Sequence, residues 1–212
     1  HFQVRRWSLK SMQKGKIVVQ IYNIVQYFVA LEACMAHPVR WTCLCLLFSA
    51  LATAADWRSE LPEGRELGVG DFTWFGLRLY TAQLWTVGPV HDWNQPFAME
   101  LVYHRQLSKD SLVGASLAEM ERLDAGSMTP QRRATWAQAI ERAFVDVRPG
   151  MRITGLYLPG QGVRFFVDGK LSHAIADPVF ARAFFAIWLD PRARDPQLRQ
   201  RLLGLAGANR GT

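Results

Sequence analysis

The sequence predicts an α+β fold in which helices cover one face of an antiparallel sheet. The first observation behind this prediction is a series of three strand-like segments, at residues 151–158, 162–167 and 170–175, joined by short turns. Asp168-Gly169 separates the last two segments. An Asp-Gly pair favours the type I′ turn of a β-hairpin, because both central residues of that turn need a positive φ. The three segments are therefore expected to pair antiparallel in chain order.

The second observation is a short apolar helix that follows these strands. Asp177 can accept hydrogen bonds from the first free backbone N–H groups, and Pro178 suits the first helical position, which needs no N–H. The segment ends at Asp190-Pro191. Its large side chains recur at helical spacing on one face, which is formed by Phe180, Ala183, Phe184, Ile187 and Trp188. Such a helix must pack against the sheet.

The remaining elements fit the same architecture. Further strands are expected over residues 65–69, 72–85 and 97–105. A helical segment begins at Ser108, and the capping box Ser116-Leu-Ala-Glu119 predicts that two short helices abut within it. Two more helices begin at Thr129-Pro130 and Asp195-Pro196, where a capping residue precedes a proline.

The segment from Met35 to Ala54 has the layout of a secretory signal peptide. A short region with His37 and Arg40 precedes the apolar stretch 43–51, and the small residues Ala52-Thr53-Ala54 follow. Cleavage is predicted after Ala54, and the mature chain is predicted to be periplasmic or secreted. The apolar stretch is about ten residues long, against the ~20 needed to cross a bilayer. No permanent membrane span is therefore expected in the mature chain. The alternative for this stretch is an ordinary buried strand or helix.

The predicted organisation has three parts. Residues 1–34 are interpreted as an upstream or non-native extension, residues 35–54 as the signal peptide, and residues 55–212 as one domain. The apolar residues 17–31 leave open a longer membrane anchor with two hydrophobic segments.

Charge and cysteine content exclude several classes of function. The net charge of the 212 residues is +7, but the segment before Ala55 carries +5 of it, and in the remainder arginines alternate with carboxylates. A nucleic-acid groove needs clustered basic residues, so nucleic-acid binding is not expected. Cys34, Cys43 and Cys45 all precede Ala55. The domain therefore has no disulfide, no thiolate nucleophile and no zinc-cysteine site.

Sequence motifs of the common catalytic sites are missing. There is no Gly-rich phosphate loop, no His-Glu-x-x-His pattern and no Gly-x-Ser-x-Gly elbow. His91, His104 and His173 fall in different elements, so no metal site and no cofactor is expected.

Four segments of the sequence carry a family resemblance. They are the run Val167-Asp-Gly-Lys170, the helix of residues 177–191, the closing Leu202-Leu-Gly204 and residues 72–85. Together they resemble the bacterial exported branch of the chalcone isomerase-like family. The resemblance covers roughly residues 67–205. It implies an open-faced β-sandwich, in which a large antiparallel sheet is covered by a layer of helices. For catalytic members it implies an isomerase (intramolecular lyase), and for other relatives it implies fatty-acid binding.

The chain departs from the catalytic pattern that this resemblance implies. The family's arginine, which follows a Gly-x pair, falls at Gly70 in Gly68-Val69-Gly70. Glycine cannot supply the positive charge that stabilises a developing oxyanion. The family's catalytic threonine falls on Tyr80, as in the fatty-acid-binding relatives. Its helical tyrosine and asparagine fall on Trp136 and Ala143. These departures favour a protein without catalytic activity.

Four residues are candidates for ligand binding: Arg78, Tyr80, Trp136 and Arg182. The alternation of strand 72–85 places Arg78 and Tyr80 on one face, where they would form a polar mouth for an anionic head group. Trp136 would form a wall of an apolar cleft. Arg182, in the middle of the apolar helix, would either face the ligand or pair with Asp177 or Asp190. For Tyr80 and Trp136, the alternative is a core aromatic residue with its polar atom hydrogen-bonded.

Three functional hypotheses follow. The first is an exported domain that binds a small hydrophobic or anionic, fatty-acid-like molecule between sheet and helices. The second is an isomerase or lyase that uses Tyr80 and a histidine in acid-base chemistry. The third is a structural or partner-binding envelope protein. The oligomeric state is left open.

Overall fold

The structure, a computed structural model, describes residues 56–206. Within them the sheet consists of β1 (Arg65–Trp74), β2 (Leu77–Thr86), β3 (Phe97–Tyr103), β4 (Arg152–Leu158), β5 (Gly162–Val167) and β6 (Lys170–Ile175). The helices are α1 (Trp57–Glu60), α2 (Lys109–Leu123), α3 (Pro130–Ala143), α4 (Pro178–Leu189) and α5 (Pro196–Leu202). The strands lie in chain order in one antiparallel sheet. The predicted α+β fold class is confirmed.

Helix starts follow the local sequence signals, with one exception. The side chains of Thr129, Asp177 and Asp195 accept hydrogen bonds from backbone N–H groups in the first turns of α3, α4 and α5. The prediction of two abutting helices near Ser116 is wrong, because α2 is continuous and begins at the capping residue Ser108. The Ser116 hydroxyl instead donates to the carbonyl oxygen of Leu112, 2.8 Å away, inside the helix.

The first hairpin corrects the prediction of a continuous strand over residues 72–85. The chain reverses at Phe75-Gly76, where φ is 47° and 76°. Two consecutive positive φ values are the signature of a type I′ turn. Trp74 therefore pairs with Leu77, and residues 72–85 are divided between two strands. Phenylalanine gives no turn signal at this position, and this is why the sequence did not reveal the reversal.

The main core lies between the sheet and helices α2 to α5. Alternate residues of β3 point into it, namely Phe97, Met99, Leu101 and Tyr103. From α4, Phe184 contacts Phe165 of β5 with ring centres 5.0 Å apart, and Phe185 contacts Phe97 at 4.9 Å. Edge-to-face packing of this kind adds stability beyond burial of area. α4 is thus the central helix of the layer, as the sequence predicts.

The opposite face of the sheet has a smaller core that the sequence did not indicate. Trp57 and Leu61, in and after α1, pack there against buried residues of β3, β4 and β5. The Trp57 indole Nε1 donates to the buried carboxylate of Glu100 at 3.4 Å, and the Thr154 hydroxyl donates to the same oxygen at 3.2 Å. These bonds attach α1 to the sheet.

No helix among residues 56–206 is long and apolar enough to cross a membrane. The predicted extension (residues 1–34), the signal peptide (residues 35–54) and the cleavage site lie outside the described residues.

Candidate functional site

A cavity of about 300 Å³ lies between the β1–β3 end of the sheet and helices α2, α4 and α5. Its volume is at the lower end of the range of small-molecule sites, which is roughly 300 to 1,000 Å³. Most of the wall is apolar and is formed by Phe72, Leu79, Leu101, Leu107, Leu112, Ala115, Phe144, Phe184, Ile187 and Leu198. A small apolar molecule is the kind of ligand that such a wall suits.

Two tyrosines supply polar atoms to this apolar wall. Tyr80 on β2 lies opposite Tyr103 on β3, with ring centres 5.9 Å apart. The Tyr80 hydroxyl oxygen accepts a hydrogen bond from the indole Nε1 of Trp188, 2.9 Å away, and its own hydrogen has no acceptor among the described residues. The Tyr103 hydroxyl has no hydrogen-bond partner in that part of the chain. Burial raises the pKa of both hydroxyls well above the ordinary value, so both remain protonated donors.

Charged residues at the open side of the cavity are bonded to one another. The Arg194 Nε donates to Glu119 Oε1 at 2.6 Å, and the Arg122 Nε donates to Glu119 Oε2 at 2.9 Å. Asp195 accepts from the backbone N–H of Leu198 at the start of α5. The open side is therefore polar without a clear excess of one charge.

Of the four predicted ligand-binding residues, only Tyr80 lines the cavity. Arg78 does not, because a β-bulge places it on the other face of the sheet. Phe72 pairs with Tyr80 but the next residue, Thr73, pairs with Arg78, so Leu79 is an extra residue in β2. Arg78 instead donates to the Asp71 carboxylate at 3.2 Å, and both side chains are exposed. The predicted polar mouth of Arg78 and Tyr80 is not formed.

Trp136 and Arg182 lie away from the cavity and from each other. The Trp136 indole Nε1 donates to Asp177 Oδ2 at 3.1 Å, and its ring packs on Phe180, so it joins α3 to the start of α4. The Arg182 guanidinium lies 4.7 Å from the centre of the Trp93 ring. It forms no ion pair with Asp177 or Asp190 among the described residues. Its aliphatic stem and this cation–π contact account for its place on an apolar helix.

The three histidines of the domain are separated. His91 packs between the rings of Trp93 and Phe97, and burial lowers its pKa. The His104 Nε2 lies 2.7 Å from the Thr81 hydroxyl on the face of the sheet opposite the cavity. Residues 56–206 contain no group of three or more side chains that could hold a metal ion.

The sequence profile described as chalcone isomerase-like matches residues 72–204, which is more than half of the chain. The chain belongs to the chalcone isomerase-like family. The predicted family is thereby confirmed, while its bacterial exported branch stays a prediction. No curated protein matches the sequence.

The fold is also shared with a solved member of the fatty-acid binding proteins. The structure is similar to the fatty-acid binding protein of Arabidopsis thaliana with a TM-score of 0.53 and 12% sequence identity. The aligned part covers 68% of this chain and 88% of that protein. At 12% identity the similarity establishes the fold alone, and any argument about a ligand of this chain must come from its own cavity.

In this member of the chalcone isomerase-like family, α5 covers the position at which the sequence resemblance implies an arginine. Gly70 is buried in β1 beneath that helix. A Cβ atom at Gly70 would lie 2.7 Å from Leu198 Cδ1 and 3.1 Å from Arg201 Cδ. Arg201 is exposed and does not line the cavity, so it does not replace the missing charge. A side chain at this position would displace Leu198 and crowd Arg201, because Leu198 occupies the space beside Gly70.

Several cavity residues were not found by sequence reasoning. Tyr103 and Phe72 sit in predicted strands, but the register that brings them beside Tyr80 depends on pairing between strands. The helical spacing predicts Trp188 only as a core residue of α4. Its spacing gave no sign that the indole would bond to Tyr80. The alternation of β3, which ends at Tyr103, is the one sequence signal that places a cavity residue on the helix-covered face of the sheet.

Proposed function

We propose that the cavity binds a small, elongated hydrophobic molecule with a hydrogen-bond acceptor at one end, as in a fatty acid, and that the protein does not catalyse a reaction on it. One observation carries this proposal: two tyrosines on the apolar wall, Tyr80 and Tyr103, have hydroxyl hydrogens that no acceptor of the described chain uses. A bound carboxyl or carbonyl group could accept hydrogen bonds from both hydroxyls, which would otherwise face an apolar cavity. Similarity to a fatty-acid binding protein supports the same ligand class.

The volume sets the size of the buried part of the ligand. If each heavy atom takes about the 30 Å³ that a water molecule occupies in the liquid, a cavity of 300 Å³ holds about ten of them. Octanoate and decanoate are of this size. A longer acyl chain would extend past Glu119 and Arg194 to solvent.

The same geometry argues against ring-closing chemistry. Such a reaction needs a stabilised phenolate, and a positioned positive charge is the largest contribution to that stabilisation. Gly70 supplies none, and Arg194 is already bonded to Glu119. Tyr80 and Tyr103 are poor general bases because burial raises the pKa of each hydroxyl.

Ligand binding is tested first on the full chain. Native mass spectrometry should detect a co-purified molecule, and decanoate should displace a fluorescent fatty acid in a titration. Replacing Tyr103 by phenylalanine removes one donor to the carboxylate. A hydrogen bond to a charged group is worth roughly 1.5 to 3 kcal/mol, so Tyr103→Phe should weaken decanoate binding about ten- to a hundredfold.

The matched control is Tyr157→Phe. Tyr157 is equally buried on β4, but it packs against Trp93, Phe97 and Phe185 outside this cavity. Decanoate affinity should not change in this variant. Equal affinities for parent, Tyr103→Phe and Tyr157→Phe would contradict the assignment of the phenols.

A second pair of variants tests the cavity itself. Ala115 of α2 lines the cavity, and Ala115→Phe should fill part of it and abolish decanoate binding. Ala118, one turn along the same helix, is exposed and does not line it, so Ala118→Phe is the control. Decanoate binding that survives Ala115→Phe would show that the ligand lies elsewhere.

We also propose that the protein is exported, with cleavage after Ala54. The signal-like layout of residues 35–54 and a domain without cysteine support this proposal. Cleavage there would leave Trp57, which packs against the sheet, on the mature chain. N-terminal sequencing of protein from the periplasmic fraction tests it, and an uncleaved product in the cytosol would refute it.

A further inference from the structure

The β1–β2 hairpin ends in an exposed apolar tip. We define the hairpin tip as Trp74–Leu77, in which Trp74, Phe75 and Leu77 are 44%, 90% and 50% exposed. Single exposed apolar residues are common on protein surfaces, whereas adjacent ones indicate a binding surface. In this tip only Gly76 separates the three exposed side chains, so they form one apolar group.

Phe75 is unexpected at its position for a conformational reason as well. Its φ of 47° lies in the left-handed region, which is rare for a bulky residue. Type I′ turns prefer Asn or Asp followed by Gly, because these residues adopt that conformation readily. The aromatic neighbour of Phe75 is Trp74, with ring centres 5.1 Å apart, and Trp74 is itself exposed. The ring of Phe75 thus gains little from the fold of its own chain, which points to a contact outside it.

A row of aromatic rings connects the hairpin tip to the cavity. Trp74 stacks on Phe72 at 6.4 Å, and Phe72 stacks on Tyr80 at 5.0 Å. Tyr80 contacts Tyr103 at 5.9 Å. Phe72, Tyr80 and Tyr103 all line the cavity. The apolar surface therefore runs without interruption from the tip to the cavity wall.

The same end of the sheet carries an excess of positive charge. The Gly150 N–H bonds to the Tyr103 carbonyl oxygen, which places the start of β4 beside the end of β3. Five exposed cations lie at this end: Arg78, Arg105, Arg148, Arg152 and Lys170. Of these five cations, only Arg78 forms an ion pair with a described residue. Three carboxylates lie at this end of the strands, Asp71, Asp146 and Asp168, and the last two accept bonds from backbone N–H groups. Arg194, 5.7 Å from the centre of the Trp74 ring, is balanced by its bond to Glu119 and adds nothing to the excess.

We propose that the hairpin tip docks on the surface of an anionic lipid bilayer, with the neighbouring cations on the lipid head groups. Exposed aromatic and aliphatic side chains insert at the boundary between head groups and acyl chains, and tryptophan is favoured there. Basic residues beside them are attracted to anionic lipids. A second copy of this chain fits less well, because it would bring its own excess of cations against this one. Docking would set the aromatic row, and with it the cavity, beside the bilayer.

The test measures binding of the full chain to phosphatidylcholine vesicles with and without 30% phosphatidylglycerol. The parent should bind the anionic vesicles more tightly. The double variant Phe75→Asn with Leu77→Thr removes the apolar side chains and gives the turn an Asn-Gly pair, so the hairpin is expected to form. Its partition coefficient on anionic vesicles should fall about tenfold or more, since burial of a phenylalanine alone is worth about that factor.

The control for loss of apolar surface is Val90→Asn. Val90 is 68% exposed in the loop after β2, at the opposite end of the sheet. Its replacement should leave the partition coefficient within twofold of the parent. If the tip variant binds as tightly as the parent, binding lies with the apolar segments before residue 55 and the proposal is wrong. A parent dimer that the tip variant converts to a monomer in light scattering would assign the tip to a second copy, and would also overturn it.

The charges are tested separately with Arg105→Gln combined with Arg152→Gln. Each removed charge should weaken binding to anionic vesicles about fivefold at low salt, with little effect on neutral vesicles. The control is Arg65→Gln, because Arg65 lies at the other end of β1 opposite Thr86. An equal loss per removed charge in the control and the test variant would show that only total charge matters and would refute docking through this end. Decanoate binding should be unchanged in all these variants, so docking and ligand binding can fail independently.

Discussion

Gly70→Arg places an arginine where catalytic members of the family are expected to have one. We predict that this substitution destabilises the protein and does not produce ring-closing activity. The reason is steric: a Cβ at this position would lie 2.7 Å from Leu198 Cδ1 and 3.1 Å from Arg201 Cδ, both on α5. A side chain at residue 70 therefore fits only if Leu198, Arg201 or the helix itself moves.

Two limits bracket the loss of stability. If α5 shifts slightly and stays in place, overpacking costs about 1 to 3 kcal/mol, and we expect this for Gly70→Ala. If α5 leaves β1, the buried Leu198 and Leu202 become exposed, at about 1.5 to 3 kcal/mol each. Gly70→Arg should therefore cost about 3 to 6 kcal/mol. At about 3 °C per kcal/mol for a domain of this size, the melting temperature should fall by roughly 3 to 9 °C for alanine and 9 to 18 °C for arginine.

Thermal melts followed by circular dichroism measure these shifts. The control is Gly114→Ala, because a Cβ at Gly114 in α2 meets no atom within 4 Å. This substitution should raise stability by about 0.5 to 1 kcal/mol, since alanine is the better helix former. A Gly70→Arg variant that melts with the parent and closes chalcone rings would show that the position is open, and would refute this account of the site.

Three further predictions concern stability, pH dependence and activity. Asp177→Ala removes the cap of α4 and leaves the buried Trp136 indole without an acceptor. The free energy of unfolding measured in urea should therefore fall by about 2 to 4 kcal/mol. The control Asp195→Ala removes only the cap of α5 and should cost about 1 kcal/mol. The hydrogen bond from Thr81, together with Arg78, holds the pKa of Asp71 below its ordinary value of 3.8. The stabilisation from ionised Asp71 is complete above the ordinary pKa of 3.8 and is lost as the pH falls through the lower pKa of the folded state. The melting temperatures of the parent and of Thr81→Val should therefore differ most near pH 6 and converge below about pH 3. In an absorbance assay, chalcone should cyclise no faster with the protein than without it. The reason is that a missing charged donor typically costs on the order of 100-fold or more in rate. Saturable turnover would overturn this expectation.

The parts of the fold that the sequence revealed are those determined by local chemistry. Asp177-Pro178 and Asp195-Pro196 mark helix starts because the cap and the proline act on neighbouring backbone atoms. Asp168-Gly169 marks a turn because both residues adopt positive φ, here 46° and 79°. The order of β4, β5 and β6 follows from their short connections. The turn at Phe75-Gly76 is not predictable in the same way, because glycine is the only turn-forming residue of the pair.

The site was less predictable because it depends on contacts between distant segments. Arg78 and Tyr80 alternate correctly along β2, yet the extra residue Leu79 places them on opposite faces. A bulge of this kind is set by pairing with β1 and has no signature in β2 alone. Likewise Trp136 and Asp177 are 41 residues apart, and only the packing of α3 on α4 shows that the indole has a structural partner.

The polar groups of the cavity determine which ligands it can distinguish. Trp188 donates to the Tyr80 oxygen, which leaves the Tyr80 hydrogen to point at another acceptor. Because burial raises the pKa of Tyr80 and Tyr103, both hydroxyls stay protonated at neutral pH and can donate a hydrogen bond but not accept a proton. Under the proposed function, such a site would select molecules by a hydrogen-bond acceptor and by apolar length. Under the same proposal, Gly70 and Tyr80 stand where the resemblance implies a catalytic arginine and threonine. Packing against Leu198 at the first position and a neutral donor at the second would favour binding and disfavour charge stabilisation.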